Sequence, residues 1–512
     1  MENNEINKKN IRYGVVLSYV SYAIAFVCSL LLQRILISSL GDVQYGLSSF
    51  VTSITSWLSL LSFGLASTYI RFATLSYLDS GDIGLKKNNG VYIVIFAAIS
   101  VISLAVGFVL LYLFKCGVIP LKQYNIDEKN TIYALFVISI INVSTTFLFN
   151  IFTLFLNYKT RFIWLRTIDI LSKIFICAMT FFAVKMGCNI VIAIGIQLLA
   201  TLLVSLVNSI YCLAKLHFSF SLNFKGYFKK NVRSIIFYSF FIFLNIVINQ
   251  INDSFGKIFL GFSDGAVSVT LYTVGMTFYS YLNEMTSAIS VVFTPKVHYL
   301  VARGEHESVR KLFLDVSKLQ AIITIFLFTG FLIAGREFIL CWLGEGKTFS
   351  YYISAMLLFS AIVPFSQNLG IEVQRAYNKH QFRSVFYLVA ALLNIAFTFV
   401  LSNVLEGEYV VFAPAISLFC SLIVSTWLAM NIFYSRVLKL PVVEYWWFLV
   451  EIGAIAIFSY CLASGITRFF TSDIGYLWLF LIKAVIYTAV FFTAALLIKG
   501  KEIKKLFKLF KT

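Results

Sequence analysis

Two lysines and two aspartates stand where an apolar chain should carry none. Asp169 and Lys173 lie four residues apart inside one hydrophobic run, and Asp253 and Lys257 repeat that spacing inside another. Residues i and i+4 of an α-helix share a face, so each pair forms one patch of opposite charge. At 100° per residue Arg166 joins the first pair within about 60° of arc. Asn245, Asn249 and Asn252 widen the second, with Gln250 at its edge. An ionisable side chain at a bilayer centre costs about 2.5–3.5 kcal/mol on the insertion scale and is a functional candidate by default. Such groups have two uses. Either the lysines attract an anion while the carboxylates hold a cation or proton, or each pair neutralises itself and eases insertion of its helix. Both uses remain open for Asp169 and Lys173. Around Asp253 and Lys257 the asparagines favour a face lining a watery cavity.

Two more ionisable residues belong with them. Glu284, beside Asn283, offers an acid that can pair with a cation or take a proton. Arg34 closes the first apolar run. The small and polar face of that helix is Ser18, Tyr22, Ala25, Ser29 and Gln33, and Arg34 lies about 100° from its middle. It therefore either reaches a cavity or snorkels to the interface.

The elements that position these residues are membrane spans. The chain has 512 residues, 60% hydrophobic and 12% charged, and mean hydropathy is +0.88. Soluble domains carry about 25% charged residues, and a soluble surface this apolar would aggregate. A span needs about 20 apolar residues. Fourteen segments qualify: 13–37, 45–70, 91–114, 131–156, 162–186, 190–213, 234–260, 267–293, 316–340, 351–374, 384–404, 410–434, 445–464 and 476–498. The first is too long for the core of a signal peptide and is expected to stay as a span. Pro364 is expected to kink the tenth, and Lys483 in the last is expected to face lipid or a neighbouring helix.

With the N-terminus placed in the cytoplasm, 30 of the 41 lysines and arginines fall in inner segments. The positive-inside rule then puts both termini inside. It also accounts for the +18 charge without nucleic acid as a partner. The tail carries Ile503, Leu506, Phe507 and Phe510 at helical spacing between lysines, a pattern expected to lie on the anionic inner leaflet. The eight cysteines are scattered, with no metal-ligand or redox spacing, and the four histidines are far apart. Neither a metal nor a cofactor is expected.

Two matches offset by six spans suggest an internal repeat. The ends of spans two and eight share Tyr77-Leu78 and Tyr299-Leu300, each followed by an acidic glycine turn. The turn at Asn157-Tyr158-Lys159 matches that at Asn378-Lys379-His380. An even offset implies a parallel repeat about the membrane normal. The expected fold is an all-α polytopic membrane protein with two six-helix bundles, residues 1–222 and 223–440, facing a central cleft. Residues 441–512 would add two helices and the basic tail.

One stretch carries a family likeness. It reads Leu40-Gly41-Asp42-Val43-Gln44-Tyr45-Gly46, then Phe63-Gly64-Leu65 and Arg71, with Gly81-Asp82 and Gly304-Glu305 after spans two and eight. In this the chain resembles the oligosaccharide flippases of polysaccharide biosynthesis, within the multidrug/oligosaccharidyl-lipid/polysaccharide exporter superfamily. Where the family arginine sits one turn nearer the glycine, this chain has Ser38, and Arg34 lies deeper.

The resemblance implies a flippase of the bacterial plasma membrane. It would carry an undecaprenyl-diphosphate-linked oligosaccharide from the inner to the outer face by alternating access, for capsule, O-antigen or a similar polymer. Arg34, Lys173, Asn249 and Lys257 would then bind the diphosphate or acidic sugars, and Asp169, Asp253 and Glu284 a coupling Na+ or H+. Partners would be the polyprenyl-linked glycan, membrane lipids and other membrane proteins of polysaccharide assembly. No ATP loop of the Gly-x-x-x-x-Gly-Lys-Ser/Thr type is present. A drug exporter of the same superfamily is the first alternative, against which the lysines count because such exporters bind organic cations. A membrane polymerase or ligase is the second, against which the short outer loops count.

Overall fold

The computed structural model describes residues 2–223, 225–468 and 475–507. All regular structure among them is helical. In hydrocarbon every backbone N–H and C=O must be satisfied within the protein, and a helix does this within its own segment.

Helix α1 (Glu2–Thr55) runs through the expected outer turn. Gly41 breaks it with φ 83 and ψ 170, a conformation that only glycine takes at little cost. The next glycine does a different job. A Cβ on Gly46 would lie 1.9 Å from the backbone oxygen of Ala266, so its lack of a side chain sets a close helix approach. The backbone then tightens into a 3-10 segment (Ser56–Ser62), turns through Phe63 and Gly64 with φ 45 and 70, and restarts as α2 (Leu65–Lys115). The expected second span, 45–70, is thus discontinuous. Helix α2 breaks at Ser80 and Gly81 and continues as the third expected span.

Helix α3 (Ile126–Tyr158) starts in a capping box. Asn125 Oδ1 accepts from the Glu128 amide at 2.8 Å, and Glu128 Oε2 accepts from the Asn125 amide at 2.9 Å. Helices α4 (Phe162–Lys185), α5 (Ile190–Ala214) and α6 (Lys225–Ser263) follow. Helix α1 packs against α4, α3 and α6. A buried aromatic cluster of Tyr69, Phe72, Tyr92, Phe96, Phe155 and Phe218 lies under α2 and α3.

The chain divides into two compact units, residues 1–270 and 271–512. Helix α6, the seventh expected span, lies in the first. Helix α7 (Ala266–Ala302) begins at the boundary and leads into α8 (His306–Leu343), α9 (Thr348–Ser366), α10 (Leu369–Ala376) and α11 (His380–Ser402). Pro364 sits inside α9, which stops two residues later. A proline displaces the carbonyl four residues back. That carbonyl, Ser360 O, accepts from Trp427 Nε1 at 3.0 Å. Trp427 belongs to a π-helical segment (Ile423–Met430) between α12 (Ala413–Leu422) and α13 (Asn431–Arg436). Asn431 Nδ2 donates to the carbonyls of Thr426 and Trp427 at 3.0 and 3.1 Å, and its Oδ1 accepts from Gln367 Nε2 at 2.8 Å. The breaks in spans ten and twelve therefore satisfy one another.

Helices α14 (Val442–Thr467) and α15 (Tyr476–Phe507) pack on α8. Lys483 Nζ lies 2.7 Å from Glu337 Oε1, and both side chains are largely buried, so this lysine is a helix contact. The tail corrects its expectation. Helix α15 kinks at Lys499, and Ile503 and Leu506 enter the core of the second unit instead of lying on a leaflet. Lys318 Nζ holds Glu502 Oε1 at 2.5 Å, and Lys499 Nζ holds Glu451 Oε2 at 2.6 Å. These pairs give the tail a protein partner that sequence could not reveal. The side chains of Phe507 and Phe510 fall outside the described residues.

Among the described residues, eleven helices are long and apolar enough to cross a membrane. The three fewer than fourteen arise because α1 and α2 together carry the first three expected spans, and because α6 and α7, the seventh and eighth, are not among the eleven. The turns after α3 and α10 share one helix-terminating pattern, with Thr160 and Asn378 at φ 55 and 56. The same pattern ends α4 and α7. It therefore does not by itself fix the register of a repeat.

Candidate functional site: a polar cluster and a cavity between α1 and α4

The α4 stripe is met by the small and polar face of α1. Asp169 Oδ2 accepts from Lys173 Nζ at 3.0 Å and from Ser21 Oγ at 2.6 Å. The Lys173 and Asp169 side chains keep 32% and 36% of their surface exposed. The pair is closed and partly exposed. Arg166 places its guanidinium 5.9 Å from the centre of the Tyr22 ring. Leucines at positions 21 and 22 of α1 would have left the α4 charges facing hydrocarbon. Ser21 was not singled out by sequence, although it neighbours Tyr22 on the polar face of the same helix.

Further along the same two helices a cavity of about 640 Å³ opens. Helix α1 contributes Arg34, Ser38 and Ser39, and α4 contributes Lys185. Leu31, Ile35, Ile174, Phe181 and Phe182 make the rest of the wall mainly apolar. Arg34 and Lys185 are exposed, and no carboxylate pairs with either among the described residues. Lys185 Nζ sits 5.9 Å from the Phe181 ring centre. Two free cations beside an apolar wall can hold an anionic group that carries a greasy chain. Lys185 went unnoticed in the sequence because it ends a span, where a cation is ordinarily a topology signal.

The i, i+4 pair on α6 behaves differently. Asp253 is exposed and Lys257 half-buried. Their charges act on one another, yet no ion pair joins them among the described residues. Asn249 is exposed beside them, and Asn252 Oδ1 is buried without a hydrogen-bond partner. Gln250, at the edge of this face, has a structural role. Its Nε2 donates to Ser56 Oγ at 2.5 Å and to Ser254 Oγ at 2.7 Å, holding α6 to the 3-10 segment that interrupts the second span. Helix α1 packs against both α4 and α6. The first unit thus brings together Asp169, Lys173 and Ser21, sets Arg34 with Lys185, and keeps Asn249, Asp253 and Lys257 on a separate helix. Glu284 is exposed on α7, in the second unit. Among the described residues no three His, Cys, Asp or Glu side chains group as metal ligands.

Residues 8–299 match the family model described as polysaccharide biosynthesis protein. No curated protein matches the chain. Among solved structures, one described as the lipid II flippase MurJ in an inward closed conformation superposes with a TM-score of 0.72 at 16% identity. The match covers 96% of this chain and 99% of that one. An inward-facing multidrug resistance MATE family transporter of the MOP superfamily gives 0.57 at 13% identity, covering 81% and 95%. The Vibrio cholerae MATE transporter VcmN in its bent form gives 0.55 at 14%, covering 86% and 99%. At these identities the likeness is one of fold.

Proposed function

Because the chain belongs to the polysaccharide biosynthesis protein family, we propose that it is a flippase for an undecaprenyl-diphosphate-linked oligosaccharide. It would work by alternating access in the bacterial plasma membrane, with both termini cytoplasmic, to supply an envelope polymer such as capsule or O-antigen. The observation that carries this reading is the cavity between α1 and α4, where Arg34 and Lys185 stand over an apolar wall. That combination suits a diphosphate attached to a polyprenyl chain and repels the organic cations that a drug exporter would take. Lys173, Lys257 and Asn249 extend the affinity for anionic headgroups. Asp169, Asp253 and Glu284 are the acids available to a coupling Na+ or H+.

In this reading the protein is a secondary transporter, with two six-helix bundles and an appended helix pair. Substrate binding lowers the barrier between inward- and outward-open forms, and an ion gradient or the membrane potential gives direction. The test is reconstitution of the full chain in vesicles holding a lipid-linked oligosaccharide on one face. Arrival at the other face is read with an impermeant glycosidase. Translocation by wild type that falls at least tenfold in the Arg34→Ala, Lys185→Ala double variant, with protein level unchanged, is the expected result. Wild-type translocation by that variant would remove the cavity from the mechanism, and no translocation by wild type would sink the flippase reading.

A further inference from the structure

The basic tail has an apolar side that the protein covers and a lysine side that it leaves bare. Helix α15 breaks at Lys499, with φ −122 and ψ 17, next to the expected end of its span at residue 498. Beyond the break, Ile503 and Leu506 enter the core of the second unit. At 100° per residue Lys501, Lys504 and Lys505 fall within about 100° of arc on the opposite side of the helix. All three are exposed. The one acidic residue from 500 to 507 is Glu502, and Lys318 and Lys499 already hold it. Among the described residues no carboxylate pairs with Lys501 or Lys504. Lys505 Nζ lies 3.8 Å from Asp315 Oδ1 and keeps 62% of its side chain exposed. The contacts of the tail fix its depth. Asp315 and Lys318 stand where the ninth expected span begins, and Glu451, which Lys499 holds at 2.6 Å, stands less than two turns into the thirteenth. The tail therefore lies at the boundary of hydrocarbon and water, on the membrane face where α15 leaves the bilayer.

We propose that Lys501, Lys504 and Lys505 form a docking face for anionic phospholipid headgroups of the surrounding bilayer, while the other side of the same helix stays in the protein. Charge and depth together select this partner. Three cations on one arc, with no carboxylate of the tail helix free to neutralise them, call for an anion. At the membrane boundary the anions within reach of a lysine stem are the phosphodiesters of the bilayer itself. Each lysine at such a surface strengthens attachment about fivefold. An acidic protein or a nucleic acid would need the lysines clear of the headgroup layer, and the contacts with Asp315, Lys318 and Glu451 hold the tail against the start of two spans. Attachment would pin the end of α15 to the leaflet and, through Glu502 and Lys318, the start of the ninth span with it. It would do so whatever the protein carries, so the proposal stands apart from the transport reading.

The experiment places the full chain in nanodiscs of phosphatidylcholine or of phosphatidylglycerol and acetylates it with acetic anhydride, a small neutral reagent. Peptide mass spectrometry gives the rate at each lysine. Lys439, exposed in the turn that leads into α14, is the reference for any effect shared by lysines near the membrane. The expected result is acetylation of Lys501, Lys504 and Lys505 about fivefold slower, relative to Lys439, in phosphatidylglycerol than in phosphatidylcholine. High salt should abolish the difference, because it screens the attraction. Equal relative rates in the two lipids would overturn the proposal. So would slow acetylation in both, since protein and not headgroup would then cover the lysines. In Lys501→Gln with Lys504→Gln, Lys505 should lose most of its protection, and full protection there would tie it to Asp315 alone and overturn the shared face. The comparison of lipids on wild type decides the matter without relying on the variant.

Discussion

Lys173 Nζ lies 3.0 Å from Asp169 Oδ2, and the same oxygen takes a second hydrogen bond from Ser21 on the facing helix. The pair is partly exposed, where ion pairs contribute only about 0.2–1 kcal/mol to stability. Its worth to the fold is therefore small beside the cost of carrying two charges in an apolar run. Exchanging the residues, Asp169→Lys with Lys173→Asp, keeps neutrality and breaks position. Protein level and thermal stability should stay near wild type, while surface polymer in cells should drop at least tenfold. Full polymer output from the exchanged variant would reduce the pair to an insertion device.

Lys257 has no ion-pair partner among the described residues, although Asp253 stands one turn before it. Replacing it with alanine breaks no bridge, so accumulation of the protein in the membrane should hold. Lipid-linked glycan on the inner face should rise severalfold if this face attracts the headgroup. Extraction and mass analysis of that glycan reads the effect and also identifies the sugar.

Gly46 lies against the backbone of Ala266 with no room for a Cβ. Gly46→Ala should therefore destabilise by about 1–3 kcal/mol, the range for overpacking. The measurement is the thermal midpoint of the detergent-solubilised chain. A midpoint equal to wild type would show that the two segments separate at no cost.

Trp427 satisfies the carbonyl that Pro364 displaces in α9. Trp427→Phe keeps most of the packing and removes the donor. An unsatisfied buried carbonyl costs about 1–3 kcal/mol. Hydrogen exchange over residues 358–370 should rise in the variant. The double variant with Pro364→Ala should recover protection, because the helix can then close its own bond.

Leu506 is fully buried in the second unit. Leu506→Ala should cost about 2–5 kcal/mol, as truncation of a core leucine does. Trypsin should then cut at Lys504 and Lys505 faster than in wild type, even without lipid vesicles. Cleavage that depends only on anionic lipid would restore the leaflet as the partner of the tail.

Much of this protein was legible in its sequence, because a bilayer leaves few choices. Long apolar runs must be helices, and Gly41 and Gly46 stand where a break and a close approach are needed. The i, i+4 spacing alone placed Asp169 with Lys173 and Asp253 with Lys257 on shared faces. Sequence periodicity is blind to what lies across from a face. Only the tertiary structure closed the first pair and left the second open. It set Ser21 on Asp169, placed Arg34 and Lys185 around one cavity, and buried Ile503 and Leu506 of the amphipathic tail in the core of the second unit. Each of these depends on which helix packs against which, and on the breaks at Gly41, Ser56–Gly64 and Pro364 that decide where each helix points. Apolar surface presents nearly the same pattern whether it faces lipid or another helix, so that choice belongs to the fold.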